Sequence, residues 1–191
     1  MAQTKSDIRA DIRKLKSKHS NTQAIADSHE ICNRMELCAE FQNAHRILLY
    51  HSLADEVNTH QLIQRWSDMK EIYLPRVNGE QLQLAHYCTP DDLEMGSYSI
   101  IEPKKSTISS IDINDIELVI LPAMAIDRSG NRLGRGKGYY DRLLHNYTKG
   151  CKIGIIYDYQ LLDNIPSDKH DIKIDKIITN KEIVTTNGIS K

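Results

Sequence analysis

Leu118-Val119-Ile120-Leu121-Pro122-Ala123-Met124-Ala125-Ile126-Asp127-Arg128-Ser129-Gly130-Asn131-Arg132-Leu133-Gly134-Arg135-Gly136-Lys137-Gly138-Tyr139-Tyr140-Asp141-Arg142 is the stretch that decides the fold. It opens on a continuous apolar run, the pattern of a strand covered on both faces. Pro122 ends that strand, and Asp127 to Asn131 is polar, with Ser129-Gly130 as a turn signal. Three alternating glycines follow, Gly134, Gly136 and Gly138, threaded by Arg132, Arg135 and Lys137. Beyond them Tyr139, Tyr140, Leu143, Leu144 and Tyr147 fall at helical spacing.

Strand, basic glycine loop, helix is an arrangement suited to holding phosphate. Glycine lets backbone N–H groups approach an anion without a Cβ between them. A helix start adds unpaired donors and the positive end of its dipole. The arginines and lysine supply countercharge. Two general phosphate motifs are excluded: Asn131 stands where a P-loop needs its first glycine and Gly138 where it needs a hydroxyl. Tyr139 occupies the third glycine position of the dinucleotide fingerprint.

Working outward, 191 residues suffice for one domain with a sizeable core, so a single domain over 1–191 is expected, with 185–191 as a frayed polar tail. A formal charge of −1 argues against a generic nucleic-acid binder. Cys32, Cys38, Cys88 and Cys151 form no CxxC pair, which signals neither zinc nor a redox motif; Cys32 and Cys38 read as small core residues. The first 18 residues lack the apolar core of a signal peptide, and no run is long enough to span a membrane. A cytoplasmic, monomeric protein without nucleic-acid or membrane partners is the expectation.

A helix is predicted after Ser6, with Ile8, Ile12 and Leu15 inward and Lys5 and Arg9 on one face; by pattern alone that pair is a solvated basic surface. A second helix is predicted over about 22–40, with Ile25, Cys32, Met35 and Ala39 inward. Ile47 to Tyr50 is a core strand, followed by a loop carrying His51, Asp55 and Glu56, then a helix capped by Asn58 or Thr59 with Leu62, Ile63, Trp66 and Met69 on one side. Acids at a helix start favour its dipole, but this pair also leaves the C-terminal end of a strand, where open α/β sheets collect ligands. Ile72-Tyr73-Leu74 is read as a short strand ended by Pro75-Arg76, and Leu82, Leu84 and His86 as a half-exposed strand after an Asn78-Gly79 turn. Arg76 and Glu102 are expected to be solvated or ion-paired. Ile153 to Tyr157 is a further buried strand and Ile172 to Ile178 a last, edge strand. His170-Asp171 lacks the G-x-S-x-G nucleophile elbow that would make it half of a hydrolase dyad. Alternating strands and helices give an α/β fold: one three-layer α/β/α domain with a mainly parallel central sheet.

Asn131 to Asp141 closely resembles the signature of the 5-formyltetrahydrofolate cyclo-ligases, also called methenyltetrahydrofolate synthetases. The Asp55-Glu56 segment resembles a second motif of that family, and Ile101-Glu102-Pro103 a recurring segment before its central strand. The resemblance covers most of the chain, is strongest over 118–142 and thinnest over 89–115. It agrees with the single three-layer domain. It implies ATP-dependent conversion of 5-formyltetrahydrofolate to 5,10-methenyltetrahydrofolate, releasing ADP and phosphate, with Mg²⁺ as cofactor. It implies that Lys5, Arg9, Arg132, Leu133, Gly134, Arg135, Gly136, Lys137, Gly138, Tyr139 and Tyr140 meet ATP. His51, Glu56, Arg135 and Tyr140 would meet the folate, His51 at a position often apolar in the family. Asp141 and Asp171 would serve the metal, with Asp168 and Asp175 as nearby alternatives to Asp171. Of Tyr139 and Tyr140, one would pack under the loop and one face ligand. A non-catalytic nucleotide-binding regulatory module would keep the glycine loop and lack the folate-side acid. A sugar-phosphate isomerase or CoA transferase would share only the sheet.

Overall fold

The apolar run at Leu118 does lie at the centre. In chain order the helices and strands are α1 (Lys5–Lys16), α2 (Asn21–Glu36), α3 (Ala39–Asn43), β1 (Arg46–Leu48), α4 (His60–Trp66), β2 (Glu71–Asn78), β3 (Gln81–Tyr87), β4 (Leu93–Met95), β5 (Ile101–Pro103), β6 (Leu118–Leu121), β7 (Ala125–Asp127), β8 (Arg132–Leu133), α5 (Tyr139–Leu143), β9 (Cys151–Ile155), β10 (Leu161–Leu162), β11 (Lys176–Ile178) and β12 (Ile183–Thr185). They come from a computed structural model, which describes residues 3–96 and 100–186.

The main sheet has the order β12-β11-β9-β6-β1-β2-β3. Its five central strands are parallel, and β3 and β12 close the two edges antiparallel. Successive side chains of β6 enter opposite cores, as strand geometry requires. Leu118 and Ile120 pack with Ile31 and Met35 of α2, Phe41 of α3 and Leu62 and Ile63 of α4. Val119 and Leu121 pack with Leu144, Tyr147, Ile172 and Ile174 on the other face. The layers are unequal: the second face is covered by the short α5, the turn after it and extended chain. A third, smaller cluster joins Ile8 and Ile12 of α1 to Met124, Ala125, Leu133 and Ile165, fastening α1 over the β7-β8 hairpin. Among the described residues no helix is long and apolar enough to cross a membrane.

Several local expectations need correction. α1 starts at Lys5, because Thr4 and Asp7 form a reciprocal capping box. α2 stops at Glu36 and α3 follows, and Ile25, expected inward, is 64% exposed while Ile31 takes the buried face. Ala39 and Met69 are also exposed. β2 runs through Pro75 rather than ending there. The Tyr73 carbonyl accepts from Leu49 N–H on the β1 side; Pro75, two residues on, turns its nitrogen to the same side, beyond the last β1 pair at Tyr73. The missing donor therefore breaks no ladder bond. Arg76 and Glu102, by contrast, are ion-paired as expected, Arg76 lying nearly buried 2.8 Å from Glu94 and 3.3 Å from Glu102. β11 is not an edge, since β12 pairs outside it. Of the expected tail, Thr185 ends β12 and Thr186 is buried; 187–191 lie outside the described residues.

Candidate active site

Two loops leave the C-terminal ends of adjacent parallel strands at the point where the strand order reverses. From β1 the chain goes to β2 on one side; from β6 it goes to β9 and β11 on the other. That switch point is where a doubly wound sheet opens a crevice. The loop after β1 brings Asp55 and Glu56, and the segment after β6 brings the glycine loop. They meet: Arg135 Nε and Nη2 lie 3.2 and 3.1 Å from Glu56 Oε1, and Nη2 also bonds Asp55.

The glycine loop is aimed by a hairpin that was not legible in the sequence. β7 and β8 pair antiparallel around Asp127, which is fully buried. Its carboxylate accepts from Ser129 N–H and Asn131 N–H, from the Asn131 amide at 2.7 Å and from Ile165 N–H at 2.8 Å. Four donors compensate a charge that could not otherwise be buried. The Ile165 bond also fixes the chain that leads to Asp168 and Asp171. Aspartate followed by Gly130-Asn131 was the available signal, an acid capping its own turn.

Gly136 and Gly138 both have positive φ, 100° and 66°. Gly138 caps α5, which has only five residues, so the expected helix dipole contributes less here than the loop's own N–H groups and its basic side chains. Tyr139 is tied down, its hydroxyl donating to Gly79 O at 3.2 Å and its ring lying under Arg142. Arg142 itself donates to Glu80 O and Lys137 O, so the β2-β3 turn props up the end of the loop. Tyr140 packs against the second core face with Arg132 over its ring, and its hydroxyl has no partner among the described residues. Burial, and then the nearby Glu56 carboxylate, push the Tyr140 phenol well above its ordinary range.

Arg132 is buried, its ion pair to Asp141 is long at 3.5 Å, and its Nε has no partner among the described residues. Nη1 donates to Pro122 O at 3.1 Å, which leaves the loosely paired Nη2 as the nitrogen suited to an anionic ligand. Lys137 is exposed and Leu133 is buried in the α1 cluster. Lys5 and Arg9, one turn apart on α1, both turn to this region. Arg9 Nε donates to Gly134 O at 2.9 Å. Lys5 Nζ bonds Asp168 at 2.7 Å and Asp171 at 2.6 Å. The solvated-face alternative for this pair is therefore overturned. If the loop holds ATP and the acid loop the folate, as the resemblance implies, replacing Arg9 by Ala should raise the apparent Kd for ATP about tenfold and leave that for folate unchanged, the loss expected for one charge-assisted hydrogen bond; calorimetric titration checks it.

Asp141, Asp171, Gly138, Arg142, His145 and His170 line an open cleft of about 480 Å³. Burial would raise the Asp171 carboxyl, but the Asp168 N–H and Lys5 outweigh it and hold the group below its ordinary range. Asp141 Oδ1 faces Arg132 and Ile172 N–H, and Asp171 Oδ2 faces Lys5 and Asp168 N–H. The second oxygen of each has no donor among the described residues. Asp175 is excluded as an alternative: it binds Lys152 at the opposite, N-terminal end of β9. His51 stacks on His60 with ring centroids 3.9 Å apart, and burial together with His60 lowers it to about 4, so it is a neutral imidazole near neutral pH. Sequence reasoning overlooked Lys16, whose side chain is almost wholly covered and whose ammonium sits 3.0 Å from Asp55 Oδ2.

A family model described as the 5-formyltetrahydrofolate cyclo-ligase family matches residues 1–180. A 5-formyltetrahydrofolate cyclo-ligase of Haemophilus influenzae is 29% identical over 92% of this chain and 97% of its own. One from Mus musculus is 26% identical over 91% and 92%. The solution structure of a 5,10-methenyltetrahydrofolate synthetase from Aquifex aeolicus superposes with a TM-score of 0.86 at 29% identity, covering 98% of this chain and 95% of that one. A synthetase of the same description from Mycoplasma pneumoniae, at 21% identity, shares the fold with a TM-score of 0.75 over 93% and 99%. Matched by this family model over residues 1–180, and by relatives along nearly its full length, the chain belongs to the 5-formyltetrahydrofolate cyclo-ligase family.

Proposed function

We propose that the protein converts 5-formyltetrahydrofolate to 5,10-methenyltetrahydrofolate, using ATP with Mg²⁺ and releasing ADP and phosphate. Family membership carries the coarser part, a ligase acting on a folate. The observation that carries the rest is the contact of Arg135 with Glu56, because it sets a phosphate-holding loop against a nearly buried carboxylate at one crevice. A nucleotide-binding module without a second substrate would have no use for that acid.

In this reading the nucleotide phosphates lie along residues 134–138, countered by Arg132, Arg135, Lys137 and the α1 pair. The pterin ring donates N–H groups to Glu56, and the Tyr140 hydroxyl is free to bond the same substrate. The formyl oxygen is a poor leaving group. Transfer of the γ-phosphoryl to it forms an O–P bond, breaks the bond to ADP, and makes the carbon electrophilic. N10 attacks that carbon, loses its proton, and the C–O bond breaks as phosphate leaves. Such transfers require positioning and charge neutralisation more than covalent help.

Asp141 and Asp171 fit Mg²⁺, which takes one or two carboxylates and completes its shell with phosphate oxygens and water. Bound there, the ion would neutralise phosphate charge. Lys5 would keep Asp171 ionised and oriented for it.

The test is direct. Protein, 5-formyltetrahydrofolate, ATP and Mg²⁺ together should give methenyltetrahydrofolate absorbance, and omission of any one should give none. Asp141→Asn should lower kcat about a hundredfold, some 2.7 kcal/mol of barrier, and raise the Mg²⁺ concentration needed for half activity. A folded protein that binds ATP yet yields no product would restore the regulatory-module reading.

A further inference from the structure

We infer that Tyr157 is a positioning residue for Glu56, fixing its backbone through a directed chain of hydroxyls that begins and ends on the same loop. The inference rests on the reading of Glu56 as the folate acceptor.

Tyr157 follows β9 and is 3% exposed. Its hydroxyl lies 3.0 Å from the Glu56 carbonyl and 2.9 Å from Ser28 Oγ of α2. Asn58 N–H donates to that same Ser28 oxygen at 3.0 Å. A carbonyl can only accept, and of the two carbonyls in reach Glu56 O at 3.0 Å is nearer than Ala24 O at 3.5 Å, so the Tyr157 proton goes to Glu56. Ser28 must then donate to Tyr157, which leaves the Ser28 oxygen to accept from Asn58. A chain so directed polarises along its length. Val57, between the two anchored residues, is buried and its carbonyl accepts from the Tyr50 hydroxyl at 3.1 Å.

Three consecutive residues are thus held by buried groups on α2 and just beyond the ends of β9 and β1. The Glu56 carboxylate itself has looser company: Leu53 N–H from its own loop, and Arg135, whose side chain is 45% exposed. The rigid reference for its position is therefore the hydroxyl chain. Burial keeps the Tyr157 phenol protonated and donating. Its ring packs edge-on against His19, with centroids 4.6 Å apart, and stacks on Tyr159. Phenylalanine would preserve those contacts and remove only the hydroxyl.

The experiment measures calorimetric affinities for 5-formyltetrahydrofolate and for ATP separately, with melting temperatures, in Tyr157→Phe, Glu56→Gln and the double variant. Tyr157→Phe should weaken folate binding about fivefold and leave ATP affinity within twofold. Ser28→Ala should act in the same direction. The double variant should bind folate no more weakly than Glu56→Gln alone, because residues acting through one group are non-additive. A purely structural role predicts multiplied losses, or equal losses for both ligands, and either result overturns the inference. So does an unchanged folate affinity in Tyr157→Phe while Glu56→Gln weakens it, a result that leaves the reading of Glu56 intact. Unchanged folate affinity in Glu56→Gln removes that reading and this inference with it.

Discussion

Gly136→Val is expected to reduce ATP affinity at least a hundredfold in a protein that still folds. The glycine sits at φ 100°, a backbone region that a β-branched residue adopts only under strain, about 1–3 kcal/mol. The residue is exposed, so that strain falls on the loop rather than on the core. A single added Cβ would find ordinary room, with Arg9 Cζ 3.6 Å away. The valine methyls extend further, into the space beside the guanidinium where the phosphates would meet the loop. Relaxation of the backbone would swing the loop's N–H groups away and shift Gly134, whose carbonyl anchors Arg9. Losing two or three such contacts at once exceeds the roughly 2.7 kcal/mol that a hundredfold change represents. The check is ATP titration beside a thermal melt. A melting temperature that falls while ATP affinity holds would remove the glycine loop from the nucleotide site.

The parts legible in the sequence are those governed by local pattern. The run from Leu118 to Leu121 could only be a strand buried on both faces, and it is the middle of the sheet. The alternating glycines announced a loop needing unusual backbone, and two of the three do take positive φ. Misreadings arose where a distant neighbour changes what a local rule means. Pro75 stops a strand only where its N–H would have been bonded, and the length of β1 decides that. Ile25 sits on a helical stripe, but the stripe that α2 buries is set by where Ile31 and Met35 reach the sheet. The residues after Gly138 have helical spacing, yet α5 unwinds after five residues because Leu144 and Tyr147 are claimed by the core.

The site shows the same division. Residue types could be named one by one, but their partnerships span the chain. Lys5 and Asp171 are 166 residues apart, and Arg135 and Glu56 are 79 apart. No spacing rule connects them. What joins them is topology: the loops after the neighbouring strands β1 and β6 face each other once the strand order reverses between those strands. α1 then closes over the crevice with Lys5, Arg9 and Lys16 each tied to a different part of its rim.

Glu56→Gln separates an enzyme from a nucleotide-binding module. The side chain is 10% exposed, and its two oxygens are divided between Leu53 N–H and Arg135. The carboxamide oxygen can still accept from Leu53, so the loop should keep its shape. Its amide would face the substrate as a donor where the pterin also donates, which converts a charged hydrogen bond into a mismatch. A charged bond is worth about 1.5–3 kcal/mol and the unpaired donor adds to the loss. Folate affinity should therefore fall about a hundredfold and turnover with it. ATP affinity should remain within about twofold, since Arg135 keeps Asp55 as a partner and the α1 contacts are untouched. If Glu56 served only to complement the helix that follows, the substitution would lower stability by about 0.3–1 kcal/mol and leave catalysis normal. Folate affinity, ATP affinity and melting temperature of this one variant distinguish the cases. A shift in melting temperature alone would withdraw Glu56 from the site and leave the phosphate loop without a second substrate to face.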